Sequence, residues 1–269
     1  MSWRSYLRWP IVLAGLVAVW QLIVTVTGVP HYILPAPQRV ATTLIERWAL
    51  IADHAGVTVA EIILGLIFGT LLGVIGALTV AAFRPARRWL LPILVASQAV
   101  PVFALAPILV LWIGYGMASK VVMAMLIIFF PVTAAFLDGL RRTESGWLDL
   151  ARTMTAGHGS AWWQTAILLF RIRVPAALPA LASGIRVAAA VAPIGAVVGE
   201  WVGSSAGLGF LMLQANGRMQ IDLMFAALLV LAVFGVLLWF SLDALLRRLL
   251  PWQTDSFSFD ADTESAPQG

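Results

Sequence analysis

The 269-residue sequence has no cysteine, a single lysine and only three histidines, and charged residues make up 11% of it. Without cysteine there are no disulfides, no thiolate metal sites and no cysteine nucleophile. His31, His54 and His158 are too scattered for a metal-ligand cluster, so no metal site is expected. They also fall in segments expected to be aqueous, which argues against an intramembrane serine–histidine protease; no catalytic set is expected. A phosphate-cradling loop needs a glycine-rich turn ending in lysine and a hydroxyl residue, whereas the sole lysine, Lys120, follows "GYGMAS". The chain therefore lacks a nucleotide site of its own, and no cofactor is expected.

What the sequence has is apolar residue. They form 61% of the chain, and its mean hydropathy is +0.93, which a water-soluble domain of this size would not carry without aggregating. A bilayer core about 30 Å thick needs about 20 apolar residues of helix, because each backbone polar group must be bonded within its own segment. Six stretches fit: Pro10–Thr27, Val57–Phe83, Trp89–Gly114, Val121–Leu137, Leu181–Val202 and Met224–Leu246. The expected fold is all-α and integral to the membrane, with six transmembrane helices. The first stretch is read as a retained anchor, since "VTVTGVPHYILP" offers no clear small-residue cleavage site.

The net charge of +4 points to membrane orientation rather than to nucleic acid. With a cytoplasmic amino terminus, the inner segments hold Arg4, Arg8, Arg84, Arg87, Arg88, Arg141, Arg142, Arg152, Arg171, Arg173, Arg247 and Arg248. The outer segments hold Arg39, Arg47, Lys120 and Arg218, and Arg186 lies near a helix end. This asymmetry places both termini in the cytoplasm.

Between the first two spans, Pro35 and Pro37 predict an extended entry to a short interfacial helix over Val40–Ile51. Gly65, Gly69, Gly73 and Gly76 lay a small-residue stripe on the second span, suited to close helix packing. Residues 1–251 read as one transmembrane domain, and the polar, acidic stretch 252–269 as a disordered cytoplasmic tail.

The segment "DLARTMTAGHGSAWWQTAILLFRIRVPAALP", Asp149 to Pro179, is too polar for lipid and too patterned for slack loop. Leu148, Ala151, Met154 and Thr155 share one face of a helix expected over Glu144–Thr155. Gly157 and Gly159 are suited to ending it, and Ser160 to capping the next helix, Ala161–Phe170. Pro175 and Pro179 are expected to stop that helix and bend the chain into the fifth span. The product is a cytoplasmic helical hook, spanning about residues 141–179, with an apolar face large enough to require a protein partner.

This hook resembles the cytoplasmic signature loop of permease subunits of bacterial ABC importers. Asp149 stands where that family has glutamate; Ala151, Gly157 and the Val174–Pro175 pair match, with "TAGHGS" the local departure. "LPAPQRV", "HAGVTVAEIILGLIFGTLLG", "PVFALAPILVLWIGYGMASKV", "FFPVTAAFLDGLRR" and "VVGEWVGSSAGLGFLM" resemble the branch importing nitrate, taurine, aliphatic sulfonates and thiamin-precursor pyrimidines. Within it, the chain is most similar to hydroxymethylpyrimidine-type permeases; a riboflavin-like solute is an alternative.

The resemblance implies a type I importer permease fold in the bacterial inner membrane. It also implies that Asp149, Ala151, Arg152, Gly157, Val174 and Pro175 belong to an ATPase-coupling loop. The implied partners are two ATPase subunits, a second, identical permease chain, and a periplasmic or lipid-anchored solute-binding protein. An ion-coupled secondary transporter, which would need neither ATP nor the hook, is the alternative of a different class.

For the translocation pathway the candidates are Gln98, Pro101, Glu200 and Trp201. An ionisable group at membrane depth costs on the order of 3 kcal/mol, so Glu200 needs a partner. It either lines the pathway, accepting hydrogen bonds from an aminopyrimidine beside the Trp201 ring, or holds "GSSAGLG" in place. Arg186, roughly 21 Å away along the helix, is too far to pair with it. Pro101 and Pro107 free carbonyls near Gln98, which suits a kink or a solute path. Glu61, Lys120, Asp222 and Asp243 are placed near helix ends, where snorkelling or capping accounts for them.

Overall fold

The computed structural model describes residues 3–155 and 160–252. Among these residues the regular structure is helical throughout. In chain order the helices are α1 (Trp3–Thr27), α2 (Pro37–Glu46), α3 (Trp48–Ala82), α4 (Arg84–Ser97), α5 (Val102–Ile113) and α6 (Met117–Arg141). Then come α7 (Ser145–Thr155), α8 (Ala161–Ile167), a π-helical turn (Leu168–Arg173), α9 (Val174–Gly203), α10 (Leu208–Gly217) and α11 (Ile221–Leu249).

Four stretches are unbroken, long and apolar enough to cross a bilayer: Trp48–Ala82, Met117–Arg141, Trp163–Gly203 and Ile221–Leu249. A fifth span exists only as a broken pair, Pro85–Ser97 with Val102–Ile113. The apolar part of α1, Ile11–Thr27, is shorter than those four. The six spans expected from hydropathy are thus four continuous helices, one interrupted helix and one shorter apolar helix.

Three boundaries depart from expectation for local reasons. Pro37 does not extend the chain but starts α2: Ala36 is extended at φ −67°, ψ 146°, and the fixed φ of the proline suits a first helical position. The third expected span breaks at Gln98–Pro101, because proline disfavours helical geometry in the residue before it and has no N–H to continue the ladder. Pro101 itself leaves the helical region, at φ −61°, ψ 114°, and caps α5.

The third departure is a correction. Pro175 and Pro179 do not stop the hook's second helix; the chain stays helical from Ala161 to Gly203. The π turn makes this possible, since the Val174 amide reaches back to the Leu169 carbonyl and the widened turn leaves room for the Pro175 ring.

The chain divides into two compact units: Met1–Ile67, Pro101–Ile127 and Val191–Val236 in the first, Phe68–Val100, Ile128–Ala190 and Leu237–Gly269 in the second. In the first unit, a Cβ at Gly65 would overlap Ala124, and Gly195 closes on the same alanine from α9. Trp20 stacks on Phe225 at 5.9 Å, and Arg39 pairs with Asp222 at 3.3 Å. In the second, Gly73 meets the Phe129 carbonyl and Val132, so the stripe on α3 packs against α6 as its spacing predicts. The core of this unit joins Ala77, Val80, Phe136, Leu137, Leu140, Leu169 and Ala177.

Buried charges are a second correction. Glu61 and Lys120 do not snorkel: they are 0% and 5% exposed and pair at 2.9 Å within the first unit. In the second unit Asp243 binds Arg186 at 2.6 Å and Arg247 at 2.8 Å, which gives Arg186 the partner that helix geometry denied it in Glu200.

Candidate functional site

The hook lies wholly in the second unit. Helix α7 packs on the π turn, with Ala151 buried and Asp149 paired to Arg152 at 3.0 Å on the solvent side. Both charged side chains are about two-thirds exposed, so this i,i+3 pair contributes no more than a few tenths of a kcal/mol. Ser160 caps α8 as expected, accepting a hydrogen bond from the Trp163 amide. Val174 and Pro175 form the first turn of α9, and Pro175 is exposed. Gly157 and His158 lie outside the described residues.

Trp147, Leu150 and Met154 stand at i, i+3 and i+7 on α7, and all three are exposed, Met154 by 72%. Trp163 is exposed on α8. Helix α8 continues through the π turn into α9 without a helical break, and α7 packs on that turn.

In the first unit, Glu200 is the centre of a buried polar cluster. Helix α10 begins after Gly207, whose φ of +114° favours glycine, and its first amides have no helical partners. Each finds a side chain. The Gly207 amide donates to His54 Nδ1 at 3.0 Å and the Leu208 amide to Thr58 Oγ1 at 2.7 Å. The Gly209 and Phe210 amides both donate to Glu200 Oε2. Thr58 then donates its hydroxyl proton to Glu200 Oε1 at 2.6 Å.

A carboxylate facing the N-terminal amides of a helix is favoured both by hydrogen bonding and by the helix dipole. At 1% exposure Glu200 has both oxygens engaged by the chain, while its neighbour Trp201 is 53% exposed. No room exists for a substituent on Gly207, since an added Cβ would collide with the Glu200 carboxylate.

Gln98 is exposed at the end of α4, where its side-chain amide donates to Ser97 Oγ at 3.2 Å. Pro101 is exposed at the start of α5. Sequence reasoning missed His54 and Thr58 as partners of the Glu200 loop. Their signal was present, as two polar residues at i and i+4 on a mostly apolar helix, but nothing in it named the segment 150 residues away that they bind. Among the described residues no group of acidic or histidine side chains is arranged to hold a metal ion.

Residues 65–254 match the family model described as the binding-protein-dependent transport system inner membrane component. A probable ABC transporter permease protein of Haemophilus influenzae is 55% identical, over 90% of this chain and 96% of its own length. The formylaminopyrimidine transport permease protein of Halalkalibacterium halodurans is 36% identical, over 88% of this chain and 92% of its own. Among solved structures, an inward-facing form of the MetNI methionine ABC transporter matches with a TM-score of 0.63 at 18% identity, covering 76% of this chain and 97% of that one, which is a likeness of fold.

Proposed function

Because the chain belongs to the family of binding-protein-dependent transport system inner membrane components, and is thus a multi-pass permease subunit of an ABC importer for small solutes in the bacterial inner membrane, we propose that its solute is a thiamin-precursor pyrimidine and that the Asp149–Pro175 hook seats in a partner ATPase. Two copies of this chain enclose the pathway, two ATPase subunits engage the two hooks, and a solute-binding protein delivers solute to the outer face. ATP closes the ATPase pair and favours one orientation of the pathway; hydrolysis resets it.

The observation that carries the coupling role is the exposed apolar face of α7, Trp147, Leu150 and Met154, on a helix packed against the π turn that leads into the span α9. The similarity to the formylaminopyrimidine permease supports the solute class. An aminopyrimidine offers a flat ring and amine donors, which the exposed Trp201 ring and, at its own position, the Gln98 amide can meet. Trp201 and the Gln98–Pro101 break are assigned to the pathway. Glu200 acts behind Trp201 by fixing the start of α10, which is the second of the two roles its sequence context left open.

Since the chain has no cysteine, single-cysteine crosslinking is clean. Met154→Cys, paired with cysteines placed around the ATPase groove, is expected to give an adduct of the summed mass, and Leu111→Cys, on an exposed apolar position of α5, to give none. Absence of any Met154 adduct in a complex that still hydrolyses ATP would overturn the hook assignment. The solute is tested apart from this, by identifying what the cognate binding protein retains. Retention of taurine, nitrate or a sulfonate instead of a pyrimidine overturns the solute and leaves the coupling role standing.

A further inference from the structure

A cavity of about 590 Å³ opens in the second unit between the end of α6 and the start of α9. Its walls are small and apolar, with Ala176 and Pro179 among them. Arg142, Arg171 and Trp147 line it as well, together with Glu144, so its charged residues sum to +1. Arg142 and Arg171 are both exposed, and among the described residues neither guanidinium makes an ion pair. The cavity is built on the hook and shares Trp147 with its exposed apolar face, while the coupling role gives no part to the two arginines.

Its composition changes from apolar to cationic where a bilayer does. Residue 141 ends a membrane span, and the arginine distribution places that end on the cytoplasmic side. At such a boundary an apolar slot can take an acyl chain, two arginines a phosphate, and an exposed tryptophan the interface. A soluble anion would use the arginines but gain nothing from the apolar wall. A zwitterionic lipid would use the wall and meet Glu144 with its ammonium group, but the two arginines outnumber that one carboxylate and favour a headgroup of net negative charge.

The geometry points to this cavity as a binding site for an anionic phospholipid of the inner leaflet, its phosphate held by Arg142 and Arg171 and an acyl chain laid against Ala176 and Pro179. Trp147 belongs to α7, so an occupied site ties the hook to the lipid surface beside it. The lipid then biases where the arm rests before the ATPase engages it. This is separate from solute choice and from the identity of the ATPase.

The test uses the full-length chain purified with its ATPase, stripped of lipid, and titrated with phosphatidylglycerol or phosphatidylethanolamine while bound lipid is counted by native mass spectrometry. Phosphatidylglycerol is expected to be retained preferentially. Arg142→Gln with Arg171→Gln is expected to weaken that retention by about 10- to 30-fold, given about three- to fivefold per basic residue at an anionic surface. Arg248→Gln, away from the cavity, should leave it unchanged.

Because the double variant can fail to fold, two further variants keep the test decisive. Arg142→Lys with Arg171→Lys preserves charge and should retain lipid, whereas Ala176→Phe preserves the arginines but fills the slot and should expel it. Equal retention of the two lipids, or no loss in either the glutamine or the phenylalanine variant, overturns the proposal. Displacement of the lipid by millimolar inorganic phosphate also overturns it, since that makes the site one for a free anion.

Discussion

At the scale of single residues, Glu200 supports the start of α10, one of the two roles that its sequence context leaves open. Its carboxylate is buried with both oxygens bonded by the chain, and its loss would strip two α10 amides of their acceptor and the Thr58 hydroxyl of its carboxylate partner. Each such group costs about 1–3 kcal/mol, and the helix N-terminus loses a facing negative charge besides. Glu200→Ala is therefore expected to lower stability by about 3 kcal/mol or more, read as an earlier tryptophan-fluorescence transition on heating in detergent. Glu200→Gln, which keeps an acceptor oxygen, should recover much of that loss. An alanine variant that unfolds as late as the parent yet fails to transport would return Glu200 to the solute pathway. That a glutamate at this depth needs partners was legible in "VVGEWVGSSAGLG"; which partners was not, because Thr58 lies 142 positions away and only the packing of α3 against the start of α10 brings it near.

At the scale of elements, periodicity and composition located the helices well, and proline was the source of the errors. The same residue starts α2 at Pro37, breaks a span at Pro101 and is carried inside α9 at Pro175 and Pro179. What separates these outcomes is the preceding turn: extended at Ala36, already ending at Gln98, widened into a π turn before Val174. A π turn has no composition of its own, so the continuity of the hook with α9 could not be read from the residues. The glycine stripe was legible because its test is only spacing and size. It yields a sharp contrast on one helix: Gly73 meets the Phe129 carbonyl and Val132, whereas nothing lies within 4 Å of a Cβ placed on Gly56. Gly73→Leu should force α3 from α6 and cost about 2 kcal/mol or more, as overpacking against backbone does, while Gly56→Ala should be neutral or slightly stabilising through helix propensity. Paired thermal melts check this; equal melting of the two variants would mean that the α3–α6 seam yields, and that close packing is not what the stripe supplies.

At the scale of the whole molecule, three features legible in the sequence constrain one another: a chain too apolar for water, arginines gathered on one side of its spans, and no loop able to cradle a nucleotide. The first two make it a membrane protein with a defined orientation, and the third means that any ATP-driven work reaches it from another polypeptide. A secondary carrier would share the first two features but needs no arm. The continuous helix from Ala161 to Gly203, with Trp163 exposed near its start and α7 packed on its π turn, suits an importer driven from a partner, a feature that a gradient-driven carrier has no need of. In proteoliposomes holding this chain, its ATPase and solute-loaded binding protein, uptake is therefore expected to require ATP and to stop when the ATPase is omitted, whatever proton or sodium gradient is imposed. Gradient-driven uptake by this chain alone, at a rate comparable with that of the complete assembly, would make the arm incidental to transport.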